Sequence, residues 1–237
     1  MKERLLKNRL KINEELNTYE KRKFFSPACY AESKVTPQLL RKELKGLCID
    51  LGCGDLPFKK LVEEVVDQYD TLDIKKRVEG VKFIGDIQNL NEFNDNTYDS
   101  AMCLEVLEHI PEPSKALNEI YRILKPGGSF VCSVPHLSRL HEEPHDYYRY
   151  TKHGLKYMFT KAGFSVKSIT PVGGLFSFVG HQLSSLLLLP FWHVPVLKQV
   201  MFFVNKWLLV KLFYFMDKNT DKNKIFSLGY VCLLEKD

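Results

Sequence analysis

The chain has 237 residues, 45% of them hydrophobic and 27% charged, with a formal net charge of +5. That is enough apolar material for one enzyme-sized core, and the charge fraction is too ordinary for a disordered chain. The basic residues are spread along the sequence rather than gathered in an aromatic-interleaved block, which argues against a nucleic-acid partner.

None of the six cysteines forms a CxxC pair, and Cys48, Cys103, Cys132 and Cys232 sit inside strand-like runs, where cysteine serves as a small hydrophobe. A reduced, cytoplasmic chain is expected. The N-terminus, Met1 to Arg4, opens a charged helix-like stretch with no sustained apolar region or small-residue cleavage site, so no secretory signal is expected. Residues 1–45 read as a helical cap, broken into pieces at Pro27 and Pro37. The Lys21-Arg22-Lys23 cluster beside Phe24 and Phe25 is either an anion contact or a solvated face next to core aromatics.

Residues 47–51 form an apolar run of strand length that ends in Gly52-Cys53-Gly54-Asp55. A helix pattern follows at once, with Phe58, Leu61, Val62 and Val65 at i, i+3, i+4 and i+7. Glycines at such a turn let a ligand approach the backbone beside the positive end of a helix. Asp73 closes the next run, residues 69–73, roughly 20 residues on, where a nucleotide-binding sheet places a carboxylate for ribose hydroxyls. A dinucleotide fold would want glycine three places after Gly54, and this chain has Pro57 there.

Residues 81–84, 100–104, 129–134 and 164–170 read as the third to sixth strands. Leu117, Ile120, Tyr121 and Leu124 line a helix opened by Pro113 and stopped by Lys125-Pro126-Gly127-Gly128. Thr151 is the expected N-cap of a helix whose Leu155, Met158, Phe159 and Ala162 share a face, with Gly163 just past its end. Alternation of strands and helices predicts an α/β fold, a doubly wound, Rossmann-like, mostly parallel sheet of seven strands. A single domain over 1–237 is expected: the cap, a cofactor-binding core at 46–170, an apolar insertion at 171–225 and a last strand at 226–237.

Asp50-Leu51-Gly52-Cys53-Gly54, Asp73, Gly85-Asp86-Ile87, the run from Tyr98 through Leu104-Glu105-Val106-Leu107-Glu108-His109, and Leu124-Lys125-Pro126-Gly127-Gly128 resemble class I S-adenosylmethionine-dependent methyltransferases of the type 11 or type 23 kind. The resemblance covers roughly residues 46–170 with a last piece near 228–234. Where the family often carries a third glycine, two places after Gly54, this chain has Leu56. The resemblance implies S-adenosylmethionine as cofactor, with Gly52 and Gly54 bordering its amino-acid part, Asp73 on the ribose and Asp86 with Ile87 at the adenine. Asp50, Cys53, Ile74 and the Leu104-Glu105 backbone complete the expected cofactor-binding set.

A second constellation, Pro135-His136 through His141-Glu142-Glu143-Pro144-His145-Asp146-Tyr147-Tyr148-Arg149-Tyr150-Thr151, follows the fifth strand, at the sheet's ligand edge. It is read as the acceptor side. Its histidines and glutamates invite a metal, but their spacings match no familiar zinc pattern, so no metal is assigned. A hydroxyl attacking a methyl group benefits from a base, for which His145 and His109 are the candidates. His109 has the alternative of capping local backbone carbonyls. Asp146 either orients the His145 imidazole or starts the turn before the helix.

Residues 175–216 are unusual, for the family joins its sixth and seventh strands closely. Residues 168–197 contain no Lys, Arg, Asp or Glu, yet His181, Gln182, Ser184, Ser185, Pro190, His193 and Pro195 interrupt the run, against a spanning helix. Two readings stand. The segment lies on a membrane surface, with Trp192, Trp207, Lys198, Lys206 and Lys211 at the headgroups, or it packs as a lid or partner face. The expected activity is O-methylation of a small or lipid-linked acceptor, glycans included, by a cytoplasmic enzyme peripheral to the inner face of a membrane, the alternative being a non-catalytic cofactor-binding scaffold. The sequence sets no oligomeric state.

Overall fold

The computed structural model describes residues 2–220 and 224–237, with side chains from Lys7 onward. Met1 of the expected cap and residues 221–223 of the insertion lie outside the described residues. The chain divides into two compact units: residues 36–170 with 229–237, and residues 1–35 with 171–228. The expected N-terminal cap is therefore split between them at residue 35.

The first unit is the sheet. Strands β1 (Leu47–Leu51), β2 (Gln68–Asp73), β3 (Phe83–Ile84), β4 (Tyr98–Leu104), β5 (Leu124–Pro135), β6 (Phe164–Val172) and β7 (Gly229–Lys236) lie in the order β3-β2-β1-β4-β5-β7-β6. The pairs among β1 to β5 are parallel, and β7 runs antiparallel to β5 with Cys132 opposite Cys232. The order reverses between β1 and β4, which places ligands beyond the carboxyl ends of those strands. Ile49, Leu51, Leu72, Ala101, Phe130 and Leu234 are fully buried, as expected of strands covered on both faces.

Local chemistry sets the flanking helices. Pro113 opens α5 (Pro113–Ile123), whose Ala116, Leu117, Ile120 and Ile123 are buried at helical spacing. The stop expected at Lys125-Pro126-Gly127-Gly128 instead lies inside β5: Leu124 pairs with Tyr98 and Ser129 with Ser100, so the residues between are accommodated by a shift of register. Thr151 caps α6 (Lys152–Lys161), its side chain accepting the Gly154 N–H at 3.1 Å, and Leu155 and Phe159 are buried. The helix after β1, α4 (Lys59–Glu63), is one short turn with Leu61 and Val62 buried.

In the second unit, α1 (Lys2–Glu15) and α2 (Tyr19–Arg22) precede α3 (Pro27–Glu43), which continues past the unit boundary. Pro27 starts α3 rather than breaking it, and Pro37 lies within the helix, where it forfeits one backbone donor without ending the run. The insertion is helical: α7 (Leu175–Leu188), α8 (Pro195–Val204), a π-helical stretch at Asn205–Lys211 and α9 (Leu212–Thr220). Asp217 accepts the Phe176 and Ser177 N–H groups at 2.7 Å each, satisfying the amino end of α7. Ile12, Phe25, Leu188 and Trp192 form this unit's own apolar cluster, and the Asn205 amide donates to the Phe24 and Phe25 carbonyls.

Trp192 is thus a core residue and not an interfacial one. Lys198 is likewise engaged, 2.8 Å from the Glu15 carboxylate. What the second unit does expose is a stripe along the continuous helical run of α8, the π stretch and α9: Val196, Val200, Phe203, Trp207, Leu208 and Phe215. No helix among the described residues is long and apolar enough to cross a membrane.

Candidate active site

Two groups of loops rise from the carboxyl ends of the parallel strands. On the first side, β1 delivers Gly52 and Gly54 at φ +76° and +53°, left-handed angles that favour glycine. A Cβ on Gly52 would fall 2.5 Å from the Val106 side chain, whereas one on Gly54 would meet nothing within 4 Å. The first glycine is needed for packing, and the second leaves the backbone open to a ligand. The Gly52 and Cys53 N–H groups donate to the Leu72 carbonyl, tying the turn to the end of β2. Leu56, in place of the family's third glycine, nevertheless takes φ +56° with its side chain buried.

Asp73, at the end of β2, is buried, and its carboxylate accepts the Gly54 N–H at 2.9 Å and the Lys75 N–H at 3.2 Å. Each oxygen retains a lone pair, so hydroxyls of a ribose can still be bound. The next residue, Ile74, is 65% exposed and offers an apolar surface for the face of a base. Asp86 is committed to the Gln88 backbone and side-chain amides, leaving buried Ile87 and the loop backbone as the rest of that wall. Asp50 sits beneath the turn: burial raises its carboxyl to about 7, and the Tyr69 hydroxyl donates to it at 2.5 Å. Cys53 is buried, and desolvation lifts its thiol to about 12, so it is packing and not a nucleophile.

At the end of β4, Leu104 is half-buried, and Glu105 takes φ +55° with its N–H given to the Ser133 carbonyl. That amide is not offered to a cofactor. The unobstructed space beside the Gly54 Cα, the Asp73 carboxylate and exposed Ile74 together fit the aminoacyl, ribose and base parts of S-adenosylmethionine.

The second side is built from the turn Leu107–His109 after β4 and the loop 136–150 after β5. The Tyr147 and Tyr148 N–H groups donate to the Glu108 carbonyl, and the Tyr150 hydroxyl donates to the Leu107 carbonyl at 2.8 Å, which fastens the two loops. His109 Nδ1 meets the His145 carbonyl at 2.5 Å, so His109 does bond a backbone carbonyl, one that lies 36 residues away. His145 itself is exposed, with Nδ1 3.1 Å from the Tyr147 hydroxyl.

Asp146 does not orient His145. Its oxygens receive Arg149 at 2.6 and 2.7 Å and the His141 N–H at 2.8 Å, because a guanidinium three residues on offers a fork that an adjacent imidazole cannot. The Arg149 guanidinium holds the Asp146 carboxyl far below its usual range. The Glu108 side chain faces both His109 and His141 and raises the His141 imidazole. Glu108, His141 and Arg149 were visible in the sequence only as members of longer motifs; no local spacing marks them as neighbours. The two sides meet where Arg77, beyond β2, lies 3.6 Å from Glu142 in the loop after β5.

A family model described as a methyltransferase domain matches residues 24–169. Among curated relatives, the uncharacterized protein MJ0638 of Methanocaldococcus jannaschii is 38% identical over 101 residues, 41% of this chain and 44% of that one. A ubiquinone biosynthesis O-methyltransferase of Pseudomonas savastanoi is 44% identical over 47 residues, 20% of each chain. The chain thus spans less than half the length of these curated relatives. Among solved structures, a SAM-dependent methyltransferase from Archaeoglobus fulgidus is similar with a TM-score of 0.56 at 18% identity, covering 96% of this chain and 98% of that one. The cyclase SpnF is similar with a TM-score of 0.58, also at 18% identity, covering 86% and 81%. The matched residues run from α3 through β6 and contain both loop groups, so the chain belongs to the methyltransferase-domain family, as a class I domain.

Proposed function

We propose that this chain transfers a methyl group from S-adenosylmethionine to a hydroxyl of a small or lipid-linked acceptor, glycans included. The observation that carries the reading is the polar, imidazole-rich loop after β5, joined by Arg77 and Glu142 to the loop that bears Asp73. Gly54, Asp73 and Ile74 hold the cofactor, with Gly52 and Asp50 shaping the turn beneath. When bound, the cofactor supplies a methyl group on a positively charged sulfur, whose departure needs no acid. The chain then has to align the acceptor oxygen and receive its proton. His145 is assigned that proton: the Tyr147 hydroxyl fixes its Nδ1 and leaves Nε2 for the acceptor. His109 has its Nδ1 tied to a carbonyl and is the less available base. Asp146 positions Arg149 and His141.

The exposed stripe of the second unit supports a lipid-linked acceptor met at a membrane surface. Val196, Phe203, Trp207 and Phe215 face outward, and Lys206 and Lys211 lie against the Trp207 ring with their amines able to reach anionic headgroups. Co-sedimentation with vesicles should rise with anionic lipid and fall with salt. A chain that stays in the supernatant removes the membrane from this reading. One observation favours a second reading, retention of the fold without methyl transfer: the similar structure SpnF is a cyclase. Labelled methyl transfer to a panel of phenolic, glycosidic and lipid-linked hydroxyls separates the two. Cofactor binding with no product from any class favours the scaffold.

A further inference from the structure

We propose that Glu108, His109 and His141 form a site for one divalent transition-metal ion, zinc by preference, at the junction of the loops after β4 and β5. Glu108 Oε1 lies 3.6 Å from His109 Nε2 and 3.7 Å from His141 Nε2, and one donor atom from each of the three lies within 4.8 Å of the others. A tetrahedral ion with bonds of about 2.1 Å wants its donors about 3.4 Å apart, so rotamer adjustments of well under a side-chain length close the site.

The second observation concerns Glu108 itself. It is fully buried, yet neither carboxylate oxygen has a hydrogen-bond partner. A buried carboxylate left so is costly unless a cation meets it. The His109 and His141 rings lie edge to face with centroids 4.8 Å apart, so one ion beside Glu108 is within reach of both Nε2 atoms. Their outer nitrogens are already held as metal-bound imidazoles usually are: His109 Nδ1 at the His145 carbonyl, and His141 Nδ1 at 3.3 Å from the Arg139 carbonyl and 3.5 Å from Asp146. Arg149 also approaches that nitrogen, at 3.4 Å, with its charge met by Asp146.

Two imidazoles and a carboxylate favour zinc over magnesium or calcium, which prefer oxygen. The three side chains leave a fourth position vacant in a tetrahedron. With His109 and His141 side chains 16% and 23% exposed, that position is within reach of solvent or of an acceptor oxygen, which would give up its proton more readily there.

The test uses the full chain without a histidine tag, freed of metal by chelation and titrated with cobalt(II) as the spectroscopic probe. One equivalent should produce the visible bands of a four-coordinate ion, and one equivalent of zinc should abolish them. His141→Ala and Glu108→Gln should each weaken binding at least ~10-fold. If buried Glu108→Gln does not fold, His141→Ala, at a partly exposed ring, carries the test, with circular dichroism reporting its fold. No uptake by the wild-type chain, or unchanged affinity in folded His141→Ala, overturns the site. The readout needs neither cofactor nor acceptor, so its failure leaves the methyl-transfer reading untouched, and the reverse also holds.

Discussion

The loops after β1 and β2 and the loops after β4 and β5 treat their polar groups differently. On the first side carboxylates are spoken for: Asp50 by Tyr69, Asp73 by two backbone N–H groups, Asp86 by Gln88. On the second, the Glu108 carboxylate is buried with no hydrogen-bond partner, and His145 stands in solvent. A side that recognises one fixed ligand gains from being preformed, because little has to be ordered when the ligand arrives. A side that must take a proton or a second ligand needs unspent capacity. The contrast supports the proposed division into a cofactor side and an acceptor side.

The largest effect that would break this division is on the acceptor side. His145→Ala should lower methyl transfer ~100-fold to 10,000-fold, the usual cost of a lost general base, while calorimetric cofactor affinity stays at the wild-type value. Parallel loss of both would mean that the two sides are one structure. Next in size, Asp73→Ala should weaken cofactor binding by ~10-fold to 100-fold, since a hydrogen bond to a charged group contributes ~1.5–3 kcal/mol. Gly52→Val should weaken it as well, by strain at φ +76° and collision with Val106. Wild-type affinity in folded Asp73→Ala would overturn the assignment of the first side.

A smaller effect sharpens the comparison through pH. Burial holds the Asp50 carboxyl at about 7 in the folded chain against 3.8 in the reference state. The folded state then binds the extra proton between those values, so the stability this group contributes is present at low pH and lost as pH rises through 7. The wild-type melting temperature should carry that downward component between pH 4 and 7, and Asp50→Asn should flatten it. Equal slopes in the two proteins would place an ionised carboxylate beneath the glycine turn. The smallest effect expected is for Thr151→Ala, which removes the cap of α6 at the end of the acceptor loop and should cost ~1 kcal/mol of stability in denaturant titrations. Turnover should be nearly unchanged if the ties of Tyr147, Tyr148 and Tyr150 already hold that loop.

The first side was legible in the sequence because its parts are local: a turn that needs glycine, and a carboxylate one strand later. The doubly wound, mostly parallel sheet follows from the strand–helix alternation, although the third strand shrinks to two residues, β5 absorbs the expected helix stop and β7 enters antiparallel between β5 and β6. The second side was legible only as composition. Glu108 and His141 are far apart in the sequence and meet because Tyr147, Tyr148 and Tyr150 pin one loop to the other, which no spacing announces. Sequence adjacency leaves Asp146 either to orient His145 or to start a turn, whereas the three-residue reach of Arg149 decides its geometry. In the second unit composition gave helices without saying which way they face. Of two tryptophans, Trp192 is buried and Trp207 is not.

Leu56 carries a consequence for how the cofactor turn responds to heat. A glycine there would hold the left-handed angle at little cost and leave the turn supple, but a leucine holds it against a preference of ~1–2 kcal/mol and only because its side chain is buried. The turn behaves as a latch kept shut from inside. Loosening of the apolar packing around Leu56 should release it while the strands are still paired, so on warming the cofactor should be lost before the sheet melts.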